Sequence, residues 1–193
     1  MKPILFNTEM VRAILAGRKM VTRRVVKFKK GQNPQWTGYI PDGNVLYGSN
    51  NIPTVKSPYR PGDILYVRET WKQATCDPAG GGYALTDLFL YKADEPINTD
   101  GMMVEGKWHP SIHMPREAAR IFLRVTDVWV ERLQDMQPYD IAFEGFRRQQ
   151  DFKAFWDSTL KPKDRALYGW EANPWVWVIE FEKVSREEAK HES

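Results

Sequence analysis

The chain has a single cysteine, Cys76, in 193 residues. An intramolecular disulfide and a zinc site built on a cysteine cluster are therefore excluded, and a reducing, cytoplasmic compartment is expected. No apolar run reaches the about 20 residues that a spanning helix needs, so no membrane partner is expected. The opening MKPILFNTEM has too short an apolar core for a secretory signal and meets an acid at Glu9. The net charge, +3, is too small for a histone-like polycation. There is no G-x-x-x-x-G-K-[ST] phosphate loop, dinucleotide glycine fingerprint, H-E-x-x-H or G-x-S-x-G motif, and no internal repeat. His109 and His113 lie four apart, but Pro110 and Pro115 break the helix that would align them. Neither a metal nor an organic cofactor is expected.

What is present is a local excess of cations. Between Arg12 and Lys30 stand eight Lys/Arg residues and no acid, and such a stretch can attract phosphates. Its centre, AGRKMVTRR at 16–24, follows a short helix: Thr8 is a candidate cap, Glu9 suits the positive end, and Gly17 suits a left-handed stop. Met10, Val11, Ile14 and Leu15 recur at helical spacing. VTRRVV then reads as extended, which puts the basic motif on a helix-to-strand connection.

Further strands are expected at 3–6, 60–71, 83–93, 120–133 and 176–184, and helices at 137–146 and 149–160, the first closed by Gly145. Two loop-rich insertions fall at about 28–60 and 94–116. A polar tail at 185–193 is expected to fray. The class is α+β: one domain over 1–184, its mixed antiparallel sheet curled into a small barrel with helices at the openings.

Lys19 and Thr22 are the first candidates for chemistry. A threonine hydroxyl is a weak nucleophile unless a neighbouring base takes its proton, and a desolvated lysine can be that base. Arg18, Arg23 and Arg24 would favour its neutral amine by like-charge repulsion.

GRKMVTRR resembles the G-x-K-x-x-T-x-R signature of ASCH domains, relatives of the PUA-like RNA-binding barrels, at Gly17, Lys19, Thr22 and Arg24. YRPGDILYVRE is similar to the family's G-D-x-L-x-V strand, LQDMQPYDIAFEGF to its helix with an acid before glycine, and VWVIEF to its closing strand. Some small bacterial members remove the acetyl group from N(4)-acetylcytidine with a threonine, a lysine and a glutamate. The resemblance thus implies Thr22 as nucleophile, Lys19 as its base, Glu144 as the acid and Arg24 as an oxyanion or substrate-orienting group. RETW, WHPSIHMPR and YGWEANPW resemble a larger ASCH subgroup common in phage and prophage genomes, which differs from the small enzymes by its insertions.

Those segments add candidates. Glu69 shares a strand face with Leu65, Val67 and Trp71, so a carboxylate enters an apolar layer and needs a partner, Arg24 or Lys19. It is the alternative to Glu144 as the site acid. His113 and Arg116 are candidate pocket or anion contacts, and Trp170 and Asn173 could stack on and hydrogen-bond a base. Two functions compete: an amidohydrolase for an acylated nucleoside, and a non-catalytic nucleic-acid-binding module. A third is a structural protein with a solubilising basic stretch. Free nucleoside or RNA is the expected partner.

Overall fold

Asn7, one residue before the expected Thr8, starts the first helix. Its side-chain oxygen accepts the Met10 N–H at 2.9 Å, and helix α1 runs Thr8–Leu15. The helix ends as a Schellman motif around Gly17 (φ 67°): the Gly17 N–H bonds the Ile14 carbonyl at 3.0 Å and the Arg18 N–H bonds that of Ala13 at 2.9 Å. This reversal sends Lys19 straight off the helix end.

The computed structural model describes residues 1–28, 45–47, 53–76, 84–96 and 107–191. The rest of both insertions, the GGG turn at 80–82, Lys29, Lys30 and residues 192–193 lie outside them. The strands are β1 (Lys2–Leu5), β2 (Val21–Val25), β3 (Val45–Tyr47), β4 (Pro53–Lys56), β5 (Ile64–Arg68), β6 (Trp71–Cys76), β7 (Ala84–Tyr91), β8 (Phe122–Arg132) and β9 (Trp175–Val184). The later helices are α2 (Pro138–Phe143), α3 (Gln149–Ser158), α4 (Arg165–Tyr168) and α5 (Arg186–His191). Five strands form a sheet in the order β1-β5-β8-β9-β2, in which only β1 and β5 run parallel. Two hairpins stand beside it, β3-β4 within the first insertion and β6-β7.

The class is α+β, as the periodicity predicts, but the sheet is not closed into a barrel: among the described residues β1 and β2 are edges that do not pair with each other. Just before β2, Lys19 bridges to Glu144, the Met20 N–H bonds the Phe143 carbonyl at 2.9 Å, and the Lys19 amine takes the Val21 carbonyl at 2.8 Å. The connection out of α2 thus pairs with the residues that lead into β2. The Arg24 side chain reaches across to the Leu5 carbonyl at the end of β1, at 2.8 Å.

Strand alternation sorts the core into two layers. Leu65, Val67, Leu123, Ile179 and Phe181 face α1, where Met10, Val11 and Ile14 are buried. Each such side chain contributes about 1.5–3 kcal/mol by leaving water. Val21, Val176 and Val178 face the other way, onto Ile141 of α2 and Phe152 and Trp156 of α3. Edge strand β2 is therefore covered on both faces, which accounts for buried polar residues along it.

Two expectations change. The strand read at 60–71 breaks at Glu69–Thr70 into β5 and β6, so Glu69 and Trp71 do not continue one face. The tail does not fray immediately: Ser185 and Glu188 cap each other's backbone N–H groups at 3.1 and 2.8 Å, and α5 buries Ala189 completely.

Candidate functional site

The site sits at the edge of β2. Four pieces of chain meet there: the β1–α1 link with Phe6 and Asn7, the turn after α1 with Lys19, strand β2 with Thr22, Arg23 and Arg24, and the end of α2 with Glu144. Phe155, Trp156 and Thr159 from the α3 side complete the wall. Together they line a cavity of about 120 Å³. That is room for about four water-sized groups.

Lys19 and Glu144 are both buried, at 3% and 2% exposure. The Lys19 amine lies 2.5 Å from Glu144 Oε2, 2.8 Å from the Val21 carbonyl and 3.2 Å from the Glu144 carbonyl. Burial pushes this amine below the ordinary lysine range. The Glu144 charge and hydrogen bond oppose the shift, and the charges of Arg24 and Arg23 add to it. Thr22 is buried at 4% yet lines the cavity, and its hydroxyl has no hydrogen-bond partner among the described residues. Arg24 stands over the Phe6 ring at 5.3 Å. Burial lowers its pKa, partly offset by the charges of Tyr59 and Glu144, but a guanidinium stays protonated in proteins.

Gly145 makes this geometry possible. It follows Glu144 with φ 91°, and a Cβ there would lie 3.0 Å from Ala13 Cβ and 3.5 Å from Lys19 Cβ. Gly145→Ala is expected to lower stability by about 2 kcal/mol, combining left-handed strain with overpacking. Urea unfolding at neutral pH measures this, and an unchanged midpoint would contradict it.

Of the residues expected from sequence, Lys19, Thr22, Arg24 and Glu144 come together, and the others do not. Glu69 is buried at 1%, but its partner is neither Lys19 nor Arg24. Arg120 holds it at both oxygens, at 2.9 and 3.1 Å, and also grips Asp94. Burial raises the Glu69 pKa against this pairing. Trp71 packs on Phe89 and His109 with ring centroids 5.7 and 5.1 Å apart. Exposed His113 lies in a single 3₁₀ turn, Ser111–His113. Arg116, also exposed, borders a separate cavity with Arg186 and Lys190. Trp170 is buried and meets Phe152 edge-on, so it supports the pocket wall from behind. Asn173, in the left-handed region (φ 45°), spends its side-chain oxygen on the Gln134 N–H. These residues lie outside the Lys19–Thr22 cavity.

Sequence reasoning treated Arg23 as one cation of a cluster. It is instead buried against three carboxylates. Its Nη1 lies 3.2 Å from Glu144 Oε1, its Nε 2.8 Å from Glu131, and its Nη2 2.7 Å from Glu131 and 3.2 Å from Asp140. The Nη2 contacts are close in distance, but no N–H there is aligned for a hydrogen bond. Alternation could have found this arrangement: on β2, Arg23 shares a face with buried Val21 and partly buried Val25, and a cation on such an apolar face requires acids.

Among the described residues, no group of three or more His, Cys, Asp or Glu is placed to hold a metal, and no helix is long and apolar enough to cross a membrane. Comparison of the chain with known protein families, with curated proteins and with solved structures finds no match.

Proposed function

We propose that the protein is a metal-independent amidohydrolase of the PUA-like ASCH type that converts N(4)-acetylcytidine, or a closely related acylated nucleoside, to cytidine and acetate. One observation carries the reading: Thr22, whose hydroxyl makes no hydrogen bond among the described residues, lines the same cavity as a buried lysine with a lowered pKa, itself paired with a glutamate. Packing alone does not require a threonine hydroxyl and a desolvated amine on the wall of one cavity.

The protonated Lys19 amine directs its three N–H groups at three acceptors. A neutral amine keeps two of these bonds and frees a lone pair. The contact released is the longest, to the Glu144 carbonyl at 3.2 Å. Neutral Lys19 takes the Thr22 proton as the hydroxyl oxygen attacks the acetyl carbonyl. Arg24 faces the developing oxyanion. The C–N bond then breaks, and the proton passes from Lys19 to the leaving cytosine N4, with Glu144 holding the amine in line. Water, deprotonated by the same amine, hydrolyses the threonine ester, releases acetate and restores the hydroxyl. The cavity has room for the acylamino group, while the sugar remains outside, so the same chemistry applies to a nucleoside or to an accessible RNA base.

The alternative, a nucleic-acid grip without catalysis, needs the basic stretch at the surface. Lys19 and Arg23 are buried and Arg24 is half-buried, which leaves Arg18 and Lys27 as the exposed cations among the described residues of 16–28. The enzyme reading therefore accounts for more of the motif.

The test is incubation of purified protein with N(4)-acetylcytidine and chromatographic detection of cytidine, with Thr22→Ala as control. Turnover by the wild type that the variant lacks is the expected result. No turnover by wild type, together with RNA binding unaffected in Thr22→Ala, would move the function to the binding module.

A further inference from the structure

Arg23 is a buried cation that the reaction above does not use. Its side chain has no exposed surface, and it stands behind Glu144 on the side opposite Lys19. The two cations divide the carboxylate, Lys19 on Oε2 and Arg23 on Oε1. Behind Arg23 stand Glu131, whose other oxygen accepts the Trp129 indole N–H at 3.0 Å, and Asp140, whose carboxylate also caps the Gln137 N–H at 2.7 Å. The order through the protein is Lys19, Glu144, Arg23, then Glu131 with Asp140. Charges alternate in sign at each step.

We propose that Arg23 is a positioning residue that fixes Glu144 as an anion and supplies the positive charge that remains when Lys19 gives up its proton. This rests on the reading of Lys19 as the base. If Lys19 loses its proton while Glu144 stays ionised, the pair carries a net negative charge in a buried place, which is unfavourable unless a permanent cation adjoins it. Arg23 is that cation, because a guanidinium does not deprotonate. A lysine at the same position would keep the charge but not the fork that joins Glu144 to Glu131.

The charged groups facing Lys19 are few. Glu144 comes from the end of α2, Arg23 and Arg24 from β2, and the Phe6 ring lies 5.8 Å away. The α1 and α3 residues on the cavity, Met10, Phe152, Phe155, Trp156 and Thr159, carry no charge. Neighbouring Arg18 points outward, with its guanidinium on the Gly145 carbonyl at 3.3 Å. Loss of Arg23 therefore removes the repulsion of one cation and leaves Glu144 wholly to Lys19. Both changes favour the ammonium form.

The test compares Arg23→Lys with the double variant Arg23→Met/Glu131→Gln, which removes one charge of each sign and keeps an acceptor for the Trp129 indole. Glu131 lies beyond Arg23 from Lys19, so loss of the nearer cation dominates. Two readouts are taken: the Lys19 titration midpoint, by NMR of ¹³Cε-labelled lysine assigned through Lys19→Arg, and the pH profile of kcat/KM on N(4)-acetylcytidine. In the double variant the midpoint and the ascending limb are expected to move up by about one pH unit, with the high-pH plateau reduced only severalfold. Arg23→Lys loses rate but keeps the limb in place. A midpoint that stays put in the double variant, or moves equally in both, overturns the role. A purely structural arginine would lower the rate at every pH without moving the limb. If the wild type shows no turnover while the midpoint moves as stated, the proposed reaction fails and the role of Arg23 in setting the Lys19 proton stands.

Discussion

Thr22→Val is expected to abolish turnover, by about 10⁴-fold or more, while leaving stability within about 1 kcal/mol of wild type or slightly above it. Valine has nearly the shape of threonine and no hydroxyl. Thr22 is 4% exposed and paired through its backbone with Ile179 of β9. Its hydroxyl makes no hydrogen bond among the described residues and is not one of the buried polar groups left without a partner, so removing it breaks no contact of the fold. Its conformation is set by the β2–β9 ladder, which valine suits at least as well. Activity falls because the attacking atom is gone, and valine cannot become an ester. Paired measurements of kcat/KM and urea midpoint check this. A variant that loses several kcal/mol would show that the hydroxyl is structural, and one that keeps its turnover would remove Thr22 from the nucleophile role. Thr22→Ser, which restores the oxygen, is expected to recover measurable rate.

Much of the site was legible because β2 and α1 carry local signals. The glycine stop after α1 and the alternation of VTRRV put Lys19 and Thr22 near one edge before any tertiary contact is known. The acid before Gly145 comes only from the resemblance to the ASCH motif, and no local signal in the chain singles it out from Asp140 one turn away. What could not be read was partnership across long sequence separation. Glu69 carries the marks of a site acid, a carboxylate entering an apolar strand, and the residue that neutralises it, Arg120, is 51 positions away on the approach to β8. Closure of the sheet failed for the same reason. Whether β2 meets β1 depends on what lies between them, and the cavity there is walled in part by Glu144, 125 residues from Lys19. The short helix α5 was a different miss, because its Ser185–Glu188 capping pair stands in plain view in the sequence.

Glu144→Ala is expected to be the most damaging single change, lowering stability by about 3–5 kcal/mol at neutral pH and eliminating turnover. Among the described residues the carboxylate is the only anion on Lys19 and one of three on Arg23. Arg23 keeps Glu131 and Asp140, so the cost falls on Lys19, which retains only carbonyl acceptors. Its amine then sheds its proton more readily, and the folded-state pKa drops further below the unfolded value. Between those two values the unfolded chain binds more protons than the folded one, so stability of the variant rises with pH across that window. The deficit relative to wild type should therefore shrink as pH is raised from 7 towards 10, as chemical unfolding at several pH values can measure. A deficit independent of pH would show that lost packing, not an orphaned ammonium, is responsible. The double variant Lys19→Met/Glu144→Leu removes both charges and fills the space with apolar groups, and much of the lost stability should return while activity does not. That outcome would show that folding does not require the pair, as the proposed role of Lys19 and Glu144 in turnover expects.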